Sequence, residues 1–171
     1  ISMFTDSGNF LAGSIFTLGV VDERFLVAED LPNGTNVTFA GIPATGDDLV
    51  AIGYSRSDRA AVNTELFIEF NNDAVAANYQ YQYLRGQGIV EGAAQANLPT
   101  AGVSVASTAS ANSFSPSIIH VSAYAEGTND PHYISMSGYH ETNFASSFVY
   151  THSGRWNNVA AINRVELNAN A

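Results

Sequence analysis

The chain has 171 residues, of which 46% are hydrophobic, and a formal net charge of −10. These values fit one globular domain with a sizeable core and exclude a disordered chain. The chain has sixteen acidic residues and only six basic ones, all of them Arg. Phosphate backbones and anionic membrane surfaces would therefore repel it. We therefore expect no nucleic-acid partner and no membrane insertion.

Cysteine is absent, which excludes a disulfide framework and a thiolate metal site. No apolar run approaches the roughly 18 residues that a membrane span needs. The first residues lack a basic leader, so they do not resemble a signal peptide and look more like a cut through a longer polypeptide.

The first half of the chain is organised as short runs of Val, Ile, Phe and Tyr between turn residues, a pattern typical of an all-β fold. The predicted strands are residues 15–21, 25–28, 36–42, 49–55, 65–70 and 78–84. Residues 49–55 form a nearly continuous apolar run, which predicts a central strand covered on both faces. In 78–84 the period of two places Tyr79, Tyr81 and Tyr83 on one face.

The composition changes between residues 86 and 117, where Gly, Ala, Ser and Thr dominate. This predicts a long surface loop with one helical turn around residues 91–97. Compact domains rarely keep so long a loop without a purpose, so we favour a loop that packs against a neighbouring subunit. Strands resume at residues 117–125, 132–138, 146–152 and 156–167. About ten strands in one domain predict a two-sheet antiparallel β-sandwich, jelly-roll-like in form.

No pattern in the sequence identifies a catalytic, cofactor-binding or metal-binding residue. His132 and His140 flank one predicted strand, so a two-histidine metal site is conceivable, but their spacing is not that of a zinc enzyme. Asn71-Asn72-Asp73 and Asp47-Asp48 are too short to supply the six to eight oxygen ligands of calcium and fit turns better. Without a Gly-x-Ser-x-Gly turn, we expect a protein that is not an enzyme.

Two further groups of residues have more than one interpretation. The stripe of Tyr79, Tyr81 and Tyr83, together with Trp156, suits a platform on which sugar rings stack. Aromatic faces of sandwich strands more often build the core or a subunit interface. Arg56, Asp58 and Arg59 follow a predicted buried strand and indicate ion pairing between subunits or at the strand end, since Arg pairs well with carboxylates.

Several short motifs together resemble a family of tailed-bacteriophage virion proteins with a jelly-roll-type β-sandwich. The motifs are Val37-Thr38-Phe39-Ala40-Gly41-Ile42-Pro43-Ala44, Asp48-Leu49-Val50, Arg56-Ser57-Asp58-Arg59-Ala60, Phe70-Asn71-Asn72-Asp73 with Asn78-Tyr79, Gly154-Arg155-Trp156 with Ala160-Ala161-Ile162, Gly8-Asn9-Phe10, Ala12-Gly13-Ser14 and Phe16-Thr17-Leu18. The family includes head-decoration, fibre and general virion proteins and shares no catalytic residues.

The order of the motifs differs from that of the family, because the family's final strand here occupies the amino end. If Gly8 follows Ala171 in an array, the repeat period is about 164 residues. We therefore predict a terminal strand pair at residues 1–22 that completes this sandwich or a neighbour's, and a sandwich domain at residues 23–171. In either case the strand edge at residues 163–167 needs a partner.

The resemblance implies a non-enzymatic structural protein on the surface of a phage particle, in the head decoration or a fibre. The expected partners are further copies of the chain, as a trimer or a repeated array, and other virion proteins. The alternative is a carbohydrate- or receptor-binding module of a tail fibre, whose partner would be a glycan on the host surface. No cofactor is expected in either case.

Overall fold

The computed structural model of the protein describes residues 7–8, 14–20, 26–31, 34, 36–142 and 144–170. These residues form thirteen strands and two short 3₁₀ turns, at Ala76–Asn78 and Phe144–Ser146. The strands are β1 (Ser7–Gly8), β2 (Ser14–Val20), β3 (Leu26–Leu31), β4 (Asn36–Ala40), β5 (Asp48–Ser55), β6 (Asn63–Phe70), β7 (Tyr79–Gln87), β8 (Val90–Ala96), β9 (Thr100–Val105), β10 (Ser115–Ser122), β11 (His132–Tyr139), β12 (Phe148–Trp156) and β13 (Arg164–Asn170). Within this part of the chain, no helix is long and apolar enough to cross a membrane.

The strands form two antiparallel sheets, and this confirms the predicted β-sandwich. The large sheet has the order β3-β2-β5-β10-β11-β12-β7-β8. In the small sheet β13 pairs with β6, which pairs with β9, while β4 and β1 both lie along the other edge of β13. The chain passes repeatedly from one sheet to the other, so residues distant in sequence face each other across the core.

The core lies between the two sheets and is built by alternate residues of their strands. Strand β13 contributes Val165, Leu167 and Ala169, each at most 2% exposed. Strand β6 contributes Leu66, Ile68 and Phe70, and the large sheet contributes Phe16, Leu18, Leu49, Ile119, Val121, Tyr79, Tyr133 and Trp156. The period-two pattern of the sequence therefore corresponds to one buried and one outward face on most strands.

Strand β9 is an edge strand whose free edge is buried against the inner face of the large sheet. Its backbone is hydrogen-bonded there by side chains instead of by another strand. The Tyr133 hydroxyl donates to the Thr100 carbonyl (2.9 Å) and the Ser135 hydroxyl to the Ala101 carbonyl. The Ser137 and Ser115 hydroxyls accept the N–H groups of Val103 (2.9 Å) and Val105 (2.7 Å). Because buried backbone groups must be hydrogen-bonded, these hydroxyls allow the small sheet to close onto the large one.

A glycine holds one of these hydroxyls in place. Gly154 of β12 lies opposite Tyr133 of β11, and a Cβ atom on Gly154 would stand 2.1 Å from the Tyr133 ring. The ring thus lies directly over the glycine, and its hydroxyl reaches β9. The Gly154-Arg155-Trp156 motif places a glycine where any other residue would displace this tyrosine.

The two ends of the described chain meet within this sandwich. Ser7 and Gly8 pair with Asn170 and Ala169, and β2 pairs with β5 in the large sheet. The edge at residues 163–167 is covered by β4 on one side and β6 on the other. The predicted boundary between residues 22 and 23 lies outside the described residues, as do residues 9–13 of the predicted terminal strand pair.

The prediction of a long loop from residue 86 to residue 117 is wrong, because most of this segment is strand. Strand β7 continues to Gln87, and β8 and β9 follow it. All six residues of β9 are buried, and a Cβ atom on Gly102 would lie 3.0 Å from the Ser137 hydroxyl oxygen. The small residues are needed for this close approach of β9 to the large sheet, whereas in the sequence they resemble a loop.

Two other strand predictions differ from the structure. Strand β5 lies centrally, between β2 and β10, but only its inner face is covered, since Ile52 and Tyr54 are 54% and 47% exposed. The unit predicted at residues 156–167 is divided: Trp156 ends β12, and the last strand begins only at Arg164. An irregular connection between them carries Ile162 into the core.

We predict that Ser137→Ala destabilises the fold, because it leaves the Val103 N–H buried without an acceptor. The expected loss in the free energy of unfolding is about 1–3 kcal/mol, measured by urea denaturation. Ser153→Ala is the matched control, since Ser153 is an exposed serine on the other face of the same sheet, and its effect should stay within about 0.5 kcal/mol. Equal losses in the two variants would contradict the role of the hydroxyl.

Candidate functional site

The histidines that suggested a metal site are far apart. His132 begins β11, and His140 follows its last residue, so the length of a strand separates them. His120 pairs with Asp48 at 3.0 Å, and His152 lies in the core. Among the described residues, no three His, Cys, Asp or Glu side chains come together as a metal site would require. The two-histidine site is therefore not formed.

The Asn71-Asn72-Asp73 segment forms a tight turn after β6. Asn71 and Asn72 have positive φ angles of 53° and 61°, a conformation that Asn tolerates better than most residues. The Asn71 amide oxygen accepts the N–H groups of Asn163 and Arg164, and its amide nitrogen donates to the Ala161 carbonyl. The turn thus anchors the connection that leads into β13.

Asp73 brings together three of the motifs on which the family resemblance rests. Its carboxylate accepts the Trp156 indole N–H at 2.7 Å and the Asn78 amide at 2.8 Å. Its carbonyl accepts the Tyr79 hydroxyl, which in turn accepts the Phe70 N–H. Every one of these contacts satisfies a buried or half-buried polar group, so we assign the cluster a structural role.

The aromatic stripe is mostly core and not an exposed platform. Tyr79 and Trp156 are at most 1% exposed and Tyr81 is 8% exposed. Burial raises the pKa of Tyr79 well above its ordinary value. Only Tyr83 is half-buried, at the rim of a cavity described below. Burial therefore excludes stacking of a sugar on Trp156, Tyr79 and Tyr81.

The arginine side chains that follow β5 make hydrogen bonds within the chain. The Arg56 guanidinium donates to the backbone carbonyls of Ser107, Ala109, Ser110 and Ser113. Arg59 donates to the Thr64 hydroxyl at 3.2 Å. The planar, multiple-donor geometry of Arg is thus used to hold the 107–113 loop, and the expected ion pairing between subunits stays a prediction.

Two arrangements in the structure contain residue types that hydrolases use. Ser147 Oγ lies 3.4 Å from His140 Nδ1, but this hydroxyl accepts the Glu141 N–H at a shorter 2.9 Å and is buried in a turn. Glu69 and Glu166 are cross-strand neighbours on β6 and β13. Burial, and then the Glu166 charge, raises the pKa of Glu69. None of these four residues lines the cavity or the groove described below.

The outer face of the large sheet carries a broad apolar surface, which we call the outer face patch. It consists of eight apolar side chains, each at least 45% exposed: Ile15, Ile52, Tyr54, Leu84, Ile118, Ile134, Met136 and Val149. Its central row crosses the sheet through the pairs Ile52–Ile118 and Ile118–Met136. Tyr54 extends the patch by stacking on Phe114, with 5.0 Å between the ring centroids.

Charge is kept away from the centre of the outer face patch. The outward-facing charged residues of its strands are Asp48 and Arg155, at one end of the sheet. Asp48 is paired there with His120, and Arg155 with Asp130. A chain with a net charge of −10 thus has a wide apolar area without charged side chains at the centre of this face. Faces of this kind mark interaction surfaces.

A groove borders the patch at the same end of the sheet. It has a volume of about 650 Å³ and is lined by polar side chains that include Gln80, Gln82, Gln95, Asn97 and Arg155. Arg155 donates to the Gln80 amide oxygen at 2.8 Å. The groove is open and its amides are exposed, so it offers hydrogen bonds but no enclosed space.

A second, smaller cavity lies between the sheets, and we call it the inter-sheet cavity. It has a volume of about 190 Å³ and is lined by Asn63, Glu65, Thr100, Gly102 and Val103 of the small sheet and by Tyr83, Arg85, Tyr150 and His152 of the large sheet. Tyr83 and Tyr150 form an aromatic wall, with ring centroids 5.3 Å apart and planes tilted by 58°. Nothing in the sequence pattern brought these residues together, because they come from four strands.

His152 is the buried polar group of the inter-sheet cavity. The residue is 1% exposed, and its Nδ1 atom has no hydrogen-bond partner among the described residues. The ring stacks on Tyr150, with centroids 5.5 Å apart and planes within 12°. Burial lowers the pKa of His152 to about 4, so the imidazole is neutral at physiological pH. Its neutral form places one donor and one acceptor nitrogen in the cavity region.

Comparison with known proteins does not identify the chain. No family model, no curated protein and no solved structure matches it. The features of the chain that bear on its function are therefore the outer face patch, the inter-sheet cavity and the motifs of the sequence.

We predict that His152 makes the fold sensitive to acid. In the unfolded chain this histidine takes up a proton below pH 6.5, whereas in the folded chain it does so only near pH 4. The free energy of unfolding should therefore fall as the pH drops from 6.5 to 4, by up to about 3 kcal/mol. Urea denaturation across this pH range measures the slope.

His152→Leu should flatten this dependence, because it removes the buried group that titrates. His132→Leu is the matched control, since it changes an exposed histidine at a strand end. The slope of its unfolding free energy against pH should equal that of the unmodified protein. The wild-type slope persisting in His152→Leu would show that another group causes it.

Proposed function

We propose that this chain is a non-enzymatic structural module of a phage particle surface, in the head decoration or a fibre, and that it acts by packing against further copies of itself. The outer face patch is the observation that carries the packing role. The location on a phage particle is supported by the motif resemblance, three of whose motifs meet around Asp73. The sandwich fold agrees with it.

The size of the outer face patch fits a stable contact. It extends over six neighbouring strands, from β2 to β7. At about 4.8 Å per strand and about 20 Å along the strands, its flat footprint is on the order of 600 Å². A specific interface buries about 800 Å² on each partner, and the ruffled accessible surface of a sheet exceeds its flat footprint. The patch is thus large enough for one sheet-on-sheet contact.

Charge determines how two copies of the chain would pack. Two copies that each carry a charge of −10 repel each other through most of their surfaces. Face-to-face packing of the two patches places uncharged sheets about 10 Å apart, as in a sandwich, and leaves the acidic groups at the periphery. Such a contact is isologous, and in an array it would join neighbouring modules.

The alternative function, a carbohydrate- or receptor-binding module of a tail fibre, needs a different site from the one the sequence suggested. Trp156 and Tyr79 are buried, and most of the segment from residue 86 to residue 117 is strand and not a loop. The specific observation that favours a carbohydrate role is the inter-sheet cavity, where Tyr83 and Tyr150 are combined with polar side chains. This role is compatible with a packing function, since the cavity and the outer face patch use opposite faces of the sheet.

We predict that the protein self-associates through the outer face patch. Sedimentation equilibrium should show a dimer or larger species at micromolar concentration, and added salt should strengthen association because it screens the repulsion between acidic copies. Ile118→Glu, at the centre of the patch, should weaken association about tenfold or more, since it buries an unpaired charge at the contact.

Val159→Glu is the matched control, because Val159 is 47% exposed, as Ile118 is 45% exposed, but lies outside the large sheet. It adds the same charge and should leave the association constant nearly unchanged. A protein that remains monomeric at all salt concentrations, or that loses association equally in both variants, would remove the packing role.

The phage location has its own test. A cryo-EM reconstruction of the intact particle should contain this sandwich on the surface of the head or in a fibre, with copies in contact. Its absence from the particle would contradict the location and leave the self-association result to stand alone.

A further inference from the structure

We propose that the inter-sheet cavity binds one neutral monosaccharide unit. This goes beyond the packing function and does not depend on it. The proposal rests on three properties of the cavity: an unsatisfied buried histidine, the balance of charge on its walls and its size.

His152 is one of two cavity-lining residues, with Thr100, whose buried polar atoms have no hydrogen-bond partner among the described residues. A buried polar atom without a hydrogen bond is unfavourable, at a cost of about 1–3 kcal/mol, and proteins keep few of them. The Nδ1 atom of His152 has no partner among the described residues although the ring is 1% exposed. A hydroxyl group in the cavity can both donate to and accept from a neutral imidazole, so a polyhydroxylated ligand would satisfy either tautomer.

The walls of the cavity favour a neutral ligand over an ion. Glu65 and Arg85 bring one formal charge of each sign, Asn63 adds an uncharged amide, and His152 is neutral at physiological pH. No metal cluster of three ligands exists among the described residues. Carboxylate, guanidinium and amide groups all form hydrogen bonds with hydroxyls, and their charges balance, so no net charge is demanded of the ligand.

The aromatic wall adds the apolar half of the site. Tyr83 and Tyr150 present two rings tilted by 58°, and the C–H face of a sugar ring is apolar enough to pack on such a surface. The Arg85 guanidinium donates to the Tyr150 hydroxyl at 3.4 Å. This contact keeps the positive charge beside the Tyr150 ring. Sites for small ligands commonly combine an apolar wall with a few oriented polar groups.

The size of the cavity limits the ligand to one sugar ring. Its volume is about 190 Å³, which at about 30 Å³ per water is room for about six waters. That space suits a hexose and is too small for a disaccharide. Tyr83, Glu65 and Tyr150 are half-buried, so the cavity opens to solvent beside them and a ligand can enter without separation of the sheets.

The test is titration of the protein with a panel of neutral monosaccharides: glucose, galactose, mannose and N-acetylglucosamine. Calorimetry measures affinity, and the NMR signal of the His152 Cε1–H reports binding at the cavity. We expect one sugar to bind with a dissociation constant of about 1 mM or below and to shift this signal. The corresponding methyl glycoside distinguishes two sources of the ligand, the terminal unit of a glycan and a free sugar. Equal binding of the glycoside indicates the glycan, and loss of binding indicates the free sugar.

Two variants locate the site. Glu65→Gln keeps the size of the side chain and removes its charge, and it should weaken binding about fivefold or more, because hydrogen bonds to charged groups contribute more than neutral ones. Gln82→Ala changes the open groove on the outer face and should leave affinity within about twofold, a difference below 0.5 kcal/mol.

Absence of binding and of any shift with every sugar at about 50 mM, well above the expected dissociation constant, would overturn the proposal and leave ordered water as the occupant. Binding that is lost in Gln82→Ala and kept in Glu65→Gln would also overturn it and place the sugar in the groove. Self-association is measured without sugar, so failure here and failure of the packing function are distinguishable.

Discussion

The sandwich depends on how the free edge of β9 is satisfied. An edge strand normally meets solvent or another strand, but β9 turns its edge toward the inner face of the large sheet, and all six of its residues are buried. Three serines and a tyrosine from the inner face of the large sheet supply the missing donors and acceptors. Polar side chains in a core are costly when unpaired, and here each hydroxyl is paired with a backbone group of β9. The small sheet can therefore close onto the large one along this side.

This closure has consequences for both candidate functional regions. Because β9 closes onto the large sheet, β6 and β9 face β7 and β12, and the inter-sheet cavity lies between them. The opposite face of the large sheet is free of β9 and of the small sheet, and it carries the outer face patch. The inner face of this sheet thus combines apolar core residues with a strip of serines beside β9, and its outer face exposes a broad apolar surface.

The sequence predicted the parts of the fold that local patterns determine. Alternation predicted the inward row of Tyr79, Tyr81 and Tyr83, and turn chemistry predicted the end of β6 at Asn71 and Asp73. The sequence-based prediction failed for β9, because a run of Ala, Gly and Ser is typical of a loop. Small residues are required there because the partner sheet lies close, and this is visible only in the structure. The prediction also failed for the outward face of β5, since exposed Ile52 and Tyr54 look the same in sequence as buried residues.

The candidate sites were less accessible to sequence reasoning than the fold. The sequence alone does not show which of the four histidines is buried. Only the structure distinguishes His152, which lies among four strands, from exposed His132. The cavity joins Asn63 and Glu65 to Tyr150 and His152, which are more than eighty residues away in the chain, and no spacing rule connects such positions. The apolar patch was hidden for the same reason: its members occur singly, one or two to a strand, and become a surface only when the strand order is known.

Native-state hydrogen exchange, resolved by residue, tests the central claim about β9 most directly. The Val103 and Val105 amides donate to serine hydroxyls and not to a neighbouring strand. If those hydroxyls close the sandwich, both amides should exchange only through global unfolding, with protection equal to that of the core amides of β6 and β13. Exchange of Val103 and Val105 at the rate of an exposed edge strand, while β6 and β13 remain protected, would contradict the account.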